Sequence, residues 1–219
     1  MSIKPKLPVL ILTFVGLFTL VNGIIAFIYP PAIYPDPSWG FNVLRSMKMG
    51  SVFNIISQPD HTDISKNNSG FMSWWSPGQY LVPYFFANLL KISIGKAAAL
   101  TVTICSLIGL SGLYAFFRRV GFTALVSSIS IAFIACQQAY LTPYIFYNGG
   151  EIIIFAFLGW FLLGCAAFTK VDWLMVVFVL VSGVIGFFLQ ISVSMDLFIR
   201  GVVSLDPIVY QKEICYQDN

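Results

Sequence analysis

Charge is scarce in this chain. Lysine and arginine contribute 12 residues and the carboxylates nine, together 10% of 219 residues, against 58% hydrophobic residues. So few charges cannot solvate the surface of a globular domain of this size, and the composition points to an integral membrane protein. The net charge is +3 and the basic residues are scattered, so no nucleic-acid partner is expected. There is one histidine, His61. Its setting, Asp60-His61-Thr62-Asp63, suits either a solvated loop or a touch on a divalent ion; no metal ligand set and no cofactor is assigned, and a divalent metal requirement stays open. Of four cysteines, Cys105, Cys136 and Cys165 lie in apolar segments and Cys215 in the polar tail. With no CxxC pair they read as small apolar packers. Walker A, GxSxG, HExxH and a strand-to-helix GxGxxG are all missing, which removes the usual soluble nucleotide and hydrolase chemistries. No internal repeat or low-complexity segment is visible.

Long apolar runs are abundant. The sequence predicts an all-α, polytopic membrane helix bundle with about five transmembrane helices. Residues 7–29 form the first span, behind Lys4 and Lys6; its length and the following Tyr29-Pro30-Pro31 mark an uncleaved anchor with a cytoplasmic N-terminus. Residues 30–96 form a long extracytoplasmic loop with juxtamembrane helices near 37–49 and 79–94. The second of these is apolar but short for a span and carries Pro83, Asn88 and Lys91, so it reads as interfacial or re-entrant. Spans then follow at 97–117, 122–142, 150–168 and 173–193, with residues 194–219 as an extracytoplasmic tail containing Arg200, Lys212 and Glu213. This count puts Arg118, Arg119 and Lys170 in the cytoplasm with Lys4 and Lys6, as basic residues prefer. No broken-helix pair of the transporter kind is evident.

The polar interval from Tyr34 to Gly95 organises the rest. Asp36-Pro37 reads as an N-cap followed by Pro at the first helical position, and Gly50 as the stop. Gln58 to Gly70 shows no hydrophobic periodicity and is expected to be a mobile loop. Two carboxylates, Asp36 and Glu151, fall at the outer interface in the five-span topology, where an acidic residue is costly unless hydrated or partnered. Asp36 is a candidate general base as well as a cap, and Glu151 a second acid as well as a helix N-terminal charge. Arg45 and Lys48, spaced i, i+3, form either a cationic clamp for phosphate or a solvated face. Trp39, Trp74, Trp75, Tyr80 and Tyr84 suit an interfacial belt, or platforms for a sugar ring or prenyl chain.

These pieces come in a recognisable order. Pro35-Asp36, Leu44 to Gly50, Ser76-Pro77-Gly78-Gln79-Tyr80, Ile94-Gly95, Tyr114 to Gly121 and Gly149-Gly150-Glu151 together resemble the N-terminal portion of the GT-C superfamily of membrane glycosyltransferases, over about residues 7–168. The nearest look is that of its aminoarabinose-transferase and protein-mannosyltransferase-like branch. The resemblance implies inverting transfer of a sugar from a polyprenyl-phosphate donor to an acceptor on the extracytoplasmic face of a bacterial inner membrane. It casts Asp36 as base, Glu151 as a second acidic group, and Arg45, Lys48, Trp74, Trp75 and Tyr80 as substrate contacts. Implied partners are the lipid-linked donor, membrane lipids, and a protein supplying further C-terminal spans if this is a truncated relative. A non-catalytic membrane subunit or lipid-carrier-binding scaffold is the alternative expectation, and a small transporter a third.

Overall fold

The computed structural model describes residues 6–53, 55–71, 77–168, 170 and 172–189. Trp74, Trp75 and the tail from residue 190 on, with Arg200, Lys212, Glu213 and Cys215, lie outside the described residues. The protein is mostly helical. Three helices are long and apolar enough to cross a membrane: α1 (Lys6–Ile28), α4 (Ile94–Arg119) and α7 (Gly150–Ala167). At 1.5 Å per residue, the 23 residues of α1 reach about 35 Å, past a hydrocarbon core of about 30 Å.

Small residues let α4 and α7 pack backbone to backbone. Gly109 lies against Phe155, Gly112 against Trp160, and Gly159 against the backbone of Gly112 and Leu113. These pairings advance together along both helices, so α4 and α7 run parallel. In lipid no hydrophobic gradient drives helices together, and close contact through such residues supplies the attraction instead. The indole of Trp160 adds a hydrogen bond to the carbonyl of Ile108 at 3.0 Å. At the far end, Arg119 Nε donates to the Ala166 carbonyl at 3.1 Å, placing a cation at the negative end of α7. Helix α1 runs the other way: Gly23 abuts Thr103, and Pro30 abuts Gly95.

Between α4 and α7 the chain does not make the straight helix expected over 122–142. Helix α5 (Ala124–Ala135) stops, and α6 (Gln138–Leu141) with the 3₁₀ turn Thr142–Tyr144 leaves at a 65° bend. Gln137 takes up extended backbone (ψ 143°) at the break, and its side-chain amide donates to the Phe133 carbonyl. The pair is thus a broken helix, which the uninterrupted apolar pattern concealed. Helix α8 (Trp173–Leu189) packs Phe178 against Gly164 and the ring of Phe161.

The interval between α1 and α4 is more ordered than its polarity suggests. Helix α2 runs Pro35–Lys48 and α3 runs Gly78–Leu90. Tyr34 is the N-cap of α2, so Asp36 sits inside the first turn rather than capping it. Pro35 and Pro37 have no N–H to satisfy and Ser38 N–H bonds the Tyr34 carbonyl, so a side-chain cap is dispensable. Gly50 does end α2: it takes φ 98°, its N–H bonds Met47 O, and Ser51 N–H bonds Ser46 O, a Schellman closure. Helix α3 ends earlier than expected, at Lys91 in left-handed backbone (φ 56°), and Ser93 caps α4, which absorbs Gly95.

Instead of a loop, residues 55–71 form an antiparallel hairpin of β2 (Ile55–Pro59) and β3 (Asn67–Phe71). Its turn is built from side-chain to backbone bonds. Asp60 Oδ1 accepts from the amides of Thr62 and Asp63, Asp63 Oδ1 accepts from Ser65, and Lys66 pairs with Asp63 at 3.0 Å. The Thr62 hydroxyl and amide chiefly hold the Asp60 carboxyl below its usual pKa, and the Ser65 hydroxyl does the same for Asp63. Short polar residues therefore organise this segment through local hydrogen bonds, a signal that hydrophobic periodicity does not carry.

Gly159→Leu should be among the most damaging changes to the bundle, since a side chain there enters the α4 backbone. The expected loss is roughly 1–3 kcal/mol, read as a lower unfolding midpoint in detergent, with Gly16→Leu, on an open face, as the unaffected control.

Candidate functional site

Two backbone hydrogen bonds assemble one end of the bundle. Strand β1 (Ala32–Ile33) lies parallel to β4 (Phe146–Tyr147). Ala32 N–H donates to Ile145 O at 2.9 Å and Tyr34 N–H to Tyr147 O at 3.0 Å. Because the pairing is parallel, the chain leaves both strands in the same direction. One exit leads into Asp36, the other into Glu151, and the two carboxylates are near enough for the charge of Asp36 to act on Glu151.

Each carboxylate stands in the first turn of a helix, Asp36 in α2 and Glu151 in α7. Two positive helix ends therefore offset part of the like-charge repulsion. No lysine or arginine neutralises either: the one ion pair among the described residues is Lys66 with Asp63.

A third segment meets them at Gly149. This residue takes φ 81°, and a Cβ there would lie 2.7 Å from Gln79 Oε1 and 3.0 Å from Pro37 Cγ. Three motifs separated in the sequence, Pro35-Asp36-Pro37, Pro77-Gly78-Gln79 and Asn148-Gly149-Gly150-Glu151, so converge on one glycine. The fully buried Tyr147 hydroxyl donates to the Gln79 carbonyl, locking α3 to β4. Gln79 is itself 4% exposed, and its Nε2 has no partner among the described residues.

Beside the carboxylates is a pocket of about 300 Å³ in the crook of the α5–α6 bend. Its polar lining is Gln137, Tyr140, Asn148 and Glu151, and Ile152 and Phe155 form part of its apolar wall. Asn148 lies beside Glu151, and its Oδ1 is buried with no partner among the described residues. Tyr140 is anchored from behind by Thr19 of α1, oxygen to oxygen 2.8 Å.

The other residues singled out from the sequence are placed as follows. Arg45 and Lys48 are exposed in the last turn of α2, where the helix dipole favours them. Nine residues of helix put Arg45 about 14 Å from Asp36 along the axis. Lys48 is further still and lies over the Tyr84 ring at 5.1 Å. Tyr84 also lines a recess of about 480 Å³ along α3, with Leu81, Phe85, Asn88 and Leu89. Trp39 is 44% exposed, as an interfacial ring should be. Tyr80 is fully buried against Gly40, and burial pushes its phenol up to about 12. In this arrangement it packs α3 on α2 and offers no open face. Gln79, Tyr140, Tyr147 and Asn148 were not singled out individually. Gln79 and Asn148 stand inside conspicuous Gly-containing motifs, the available hint, whereas Tyr140 and Tyr147 are indistinguishable in sequence from membrane-belt tyrosines.

Comparison with protein-family models, curated proteins and solved structures returned no match.

Tyr147→Phe removes the donor from a buried carbonyl at the join of the three segments. It should cost about 1–3 kcal/mol in denaturant unfolding, and a cysteine at Ser38 should become more reactive as the α2 start loosens.

Proposed function

We propose that this protein is a GT-C-type glycosyltransferase that moves a sugar from a polyprenyl-phosphate donor to an acceptor on the extracytoplasmic face of the membrane. One observation carries the reading: at one end of the bundle Asp36 stands near enough for its charge to act on Glu151, and Glu151 lines a pocket there. Arg118 and Arg119 close α4 at the opposite end. That separation of charge supports five spans with the N-terminus inside, α8 being the fifth, and carboxylates outside. The motifs that resemble the superfamily are also those that converge at Gly149.

The chemistry follows from the groups present. An acceptor hydroxyl gives its proton to Asp36 as its oxygen forms a bond to the anomeric carbon. The bond from that carbon to the phosphate oxygen breaks on the opposite face, so configuration inverts and the electron pair leaves on the lipid phosphate. Arg45 is the better placed cation for that charge, and Lys48 stands behind it. The recess along α3 suits the prenyl chain, with Tyr84 at its edge. Glu151 stands at the same end of the bundle as a second carboxylate, placed to accept a hydrogen bond from the incoming hydroxyl. The class alternative is a lipid-carrier-binding scaffold that keeps this arrangement without turnover.

Asp36→Asn keeps the shape of the first turn of α2 and removes the base. Transfer of labelled sugar from a panel of polyprenyl-phosphate donors by the purified chain should fall by about 10²–10⁴-fold while the unfolding midpoint stays near that of the parent. Full transfer by the variant would refute the role of Asp36, and donor binding without transfer in both proteins would favour the scaffold. Orientation has its own check: with labelling read peptide by peptide, Ser65→Cys should react with an impermeant thiol reagent added outside and Val120→Cys should not. The reverse pattern would overturn the five-span arrangement.

A further inference from the structure

The pocket in the α5–α6 bend has a hydrogen-bonding character that defines its occupant. Its polar groups nearest the carboxylate pair are acceptors. Asn148 lies beside Glu151 and leaves Oδ1 buried without a partner among the described residues; Glu151 offers carboxylate oxygens. Gln137 gives one side-chain N–H to the Phe133 carbonyl and keeps its Oε1 and second N–H, so at the far side of the pocket it can serve a hydroxyl in either sense. A buried acceptor left unmade costs about 1–3 kcal/mol, so a ligand that donates to Asn148 gains and one that brings only acceptors does not. Asp36 and Glu151 add negative charge with no cation paired to either among the described residues, which repels phosphate and carboxylate alike. Ile152 and Phe155, one helical turn apart on α7, supply an apolar wall that a hydroxyl-rich ring covers with its C–H face.

We infer that this pocket binds the neutral, hydroxyl-bearing headgroup of an amphiphile, held by Asn148 and Glu151, and excludes anionic headgroups. Resting on the transferase reading, it is the acceptor side of the site: the acceptor hydroxyl enters from the α5–α6 bend next to Asp36, and the anionic donor from the α2–α3 side where Arg45 and Lys48 lie.

Two octyl probes carrying a diazirine at the start of the chain, one with a glucose headgroup and one with phosphate, separate these possibilities in nanodiscs holding the full chain. The glucoside should crosslink to residues 134–155 at least threefold more than the phosphate probe. That signal should drop to the phosphate level in Asn148→Leu, and equally in Ala139→Trp, which fills the pocket from its opposite wall and leaves Asn148 and Glu151 intact. Equal crosslinking by the phosphate probe, or glucoside crosslinking that survives both substitutions, would overturn the assignment. The readout needs no turnover. Crosslinking without any sugar transfer would therefore leave the pocket assignment standing and count against the transferase, and transfer without crosslinking would do the opposite.

Discussion

The parallel pairing of β1 with β4 is the constraint on which the rest of this end of the molecule depends. Its two hydrogen bonds are ordinary in strength, yet their direction decides where the two carboxylates go. An antiparallel bridge would send the two chains apart and leave Asp36 and Glu151 on opposite sides. A parallel one sends both into helix N-termini side by side, where two carboxylates are electrostatically tolerable. The bend between α5 and α6 belongs to the same constraint. A straight helix ending at Thr142 would carry the chain on through the interface, whereas the 65° turn brings Phe146 alongside Ala32 and opens the pocket in its crook.

Beneath this corner the parallel helices α4 and α7 provide the rigid floor. Parallel neighbours align their dipoles unfavourably, and Arg119, donating to the last carbonyls of α7, relieves the negative end. At the other end Glu151 adds the complementary charge in the first turn of α7. Glycines at 109, 112 and 159 set how close the two axes come, so positions near the carboxylates are fixed by packing well away from them.

What the sequence made legible was whatever depends on local chemistry or on length. The long apolar helices and the Gly50 stop could be read because a run of apolar residues and a left-handed glycine each act within a few positions. So could the places of Asp36 and Glu151 close to helix starts, as carboxylates at the edges of apolar runs. What stayed hidden depended on partners distant in the chain. Tyr80 reads as an interfacial ring until Gly40 is found beneath it, and Gly95 reads as a helix stop until Pro30 is found against it. The α5–α6 break was hidden for another reason: Cys136 and Gln137 are ordinary helix residues, and the bend follows from the demand that β4 meet β1. Asp36 was misplaced by two positions, from the cap to the second residue of the helix, because either proline beside it reads as a helix start.

The reach of the β1–β4 pairing along the chain also says something about how the protein is made. Thr19 and Tyr140, bonded across the core, are 121 residues apart. During synthesis α1, α2 and the hairpin emerge long before β4 exists, and loop closure over such a distance is entropically unfavourable until packing rewards it. Helix α1 must therefore wait with the β1 edge unmatched and Asp36 without its neighbour. Only when the fourth apolar segment arrives is the corner completed, so the site forms late in biogenesis, and a nascent chain stalled before Phe146 carries Asp36 and Gln79 but none of the residues that join them at Gly149.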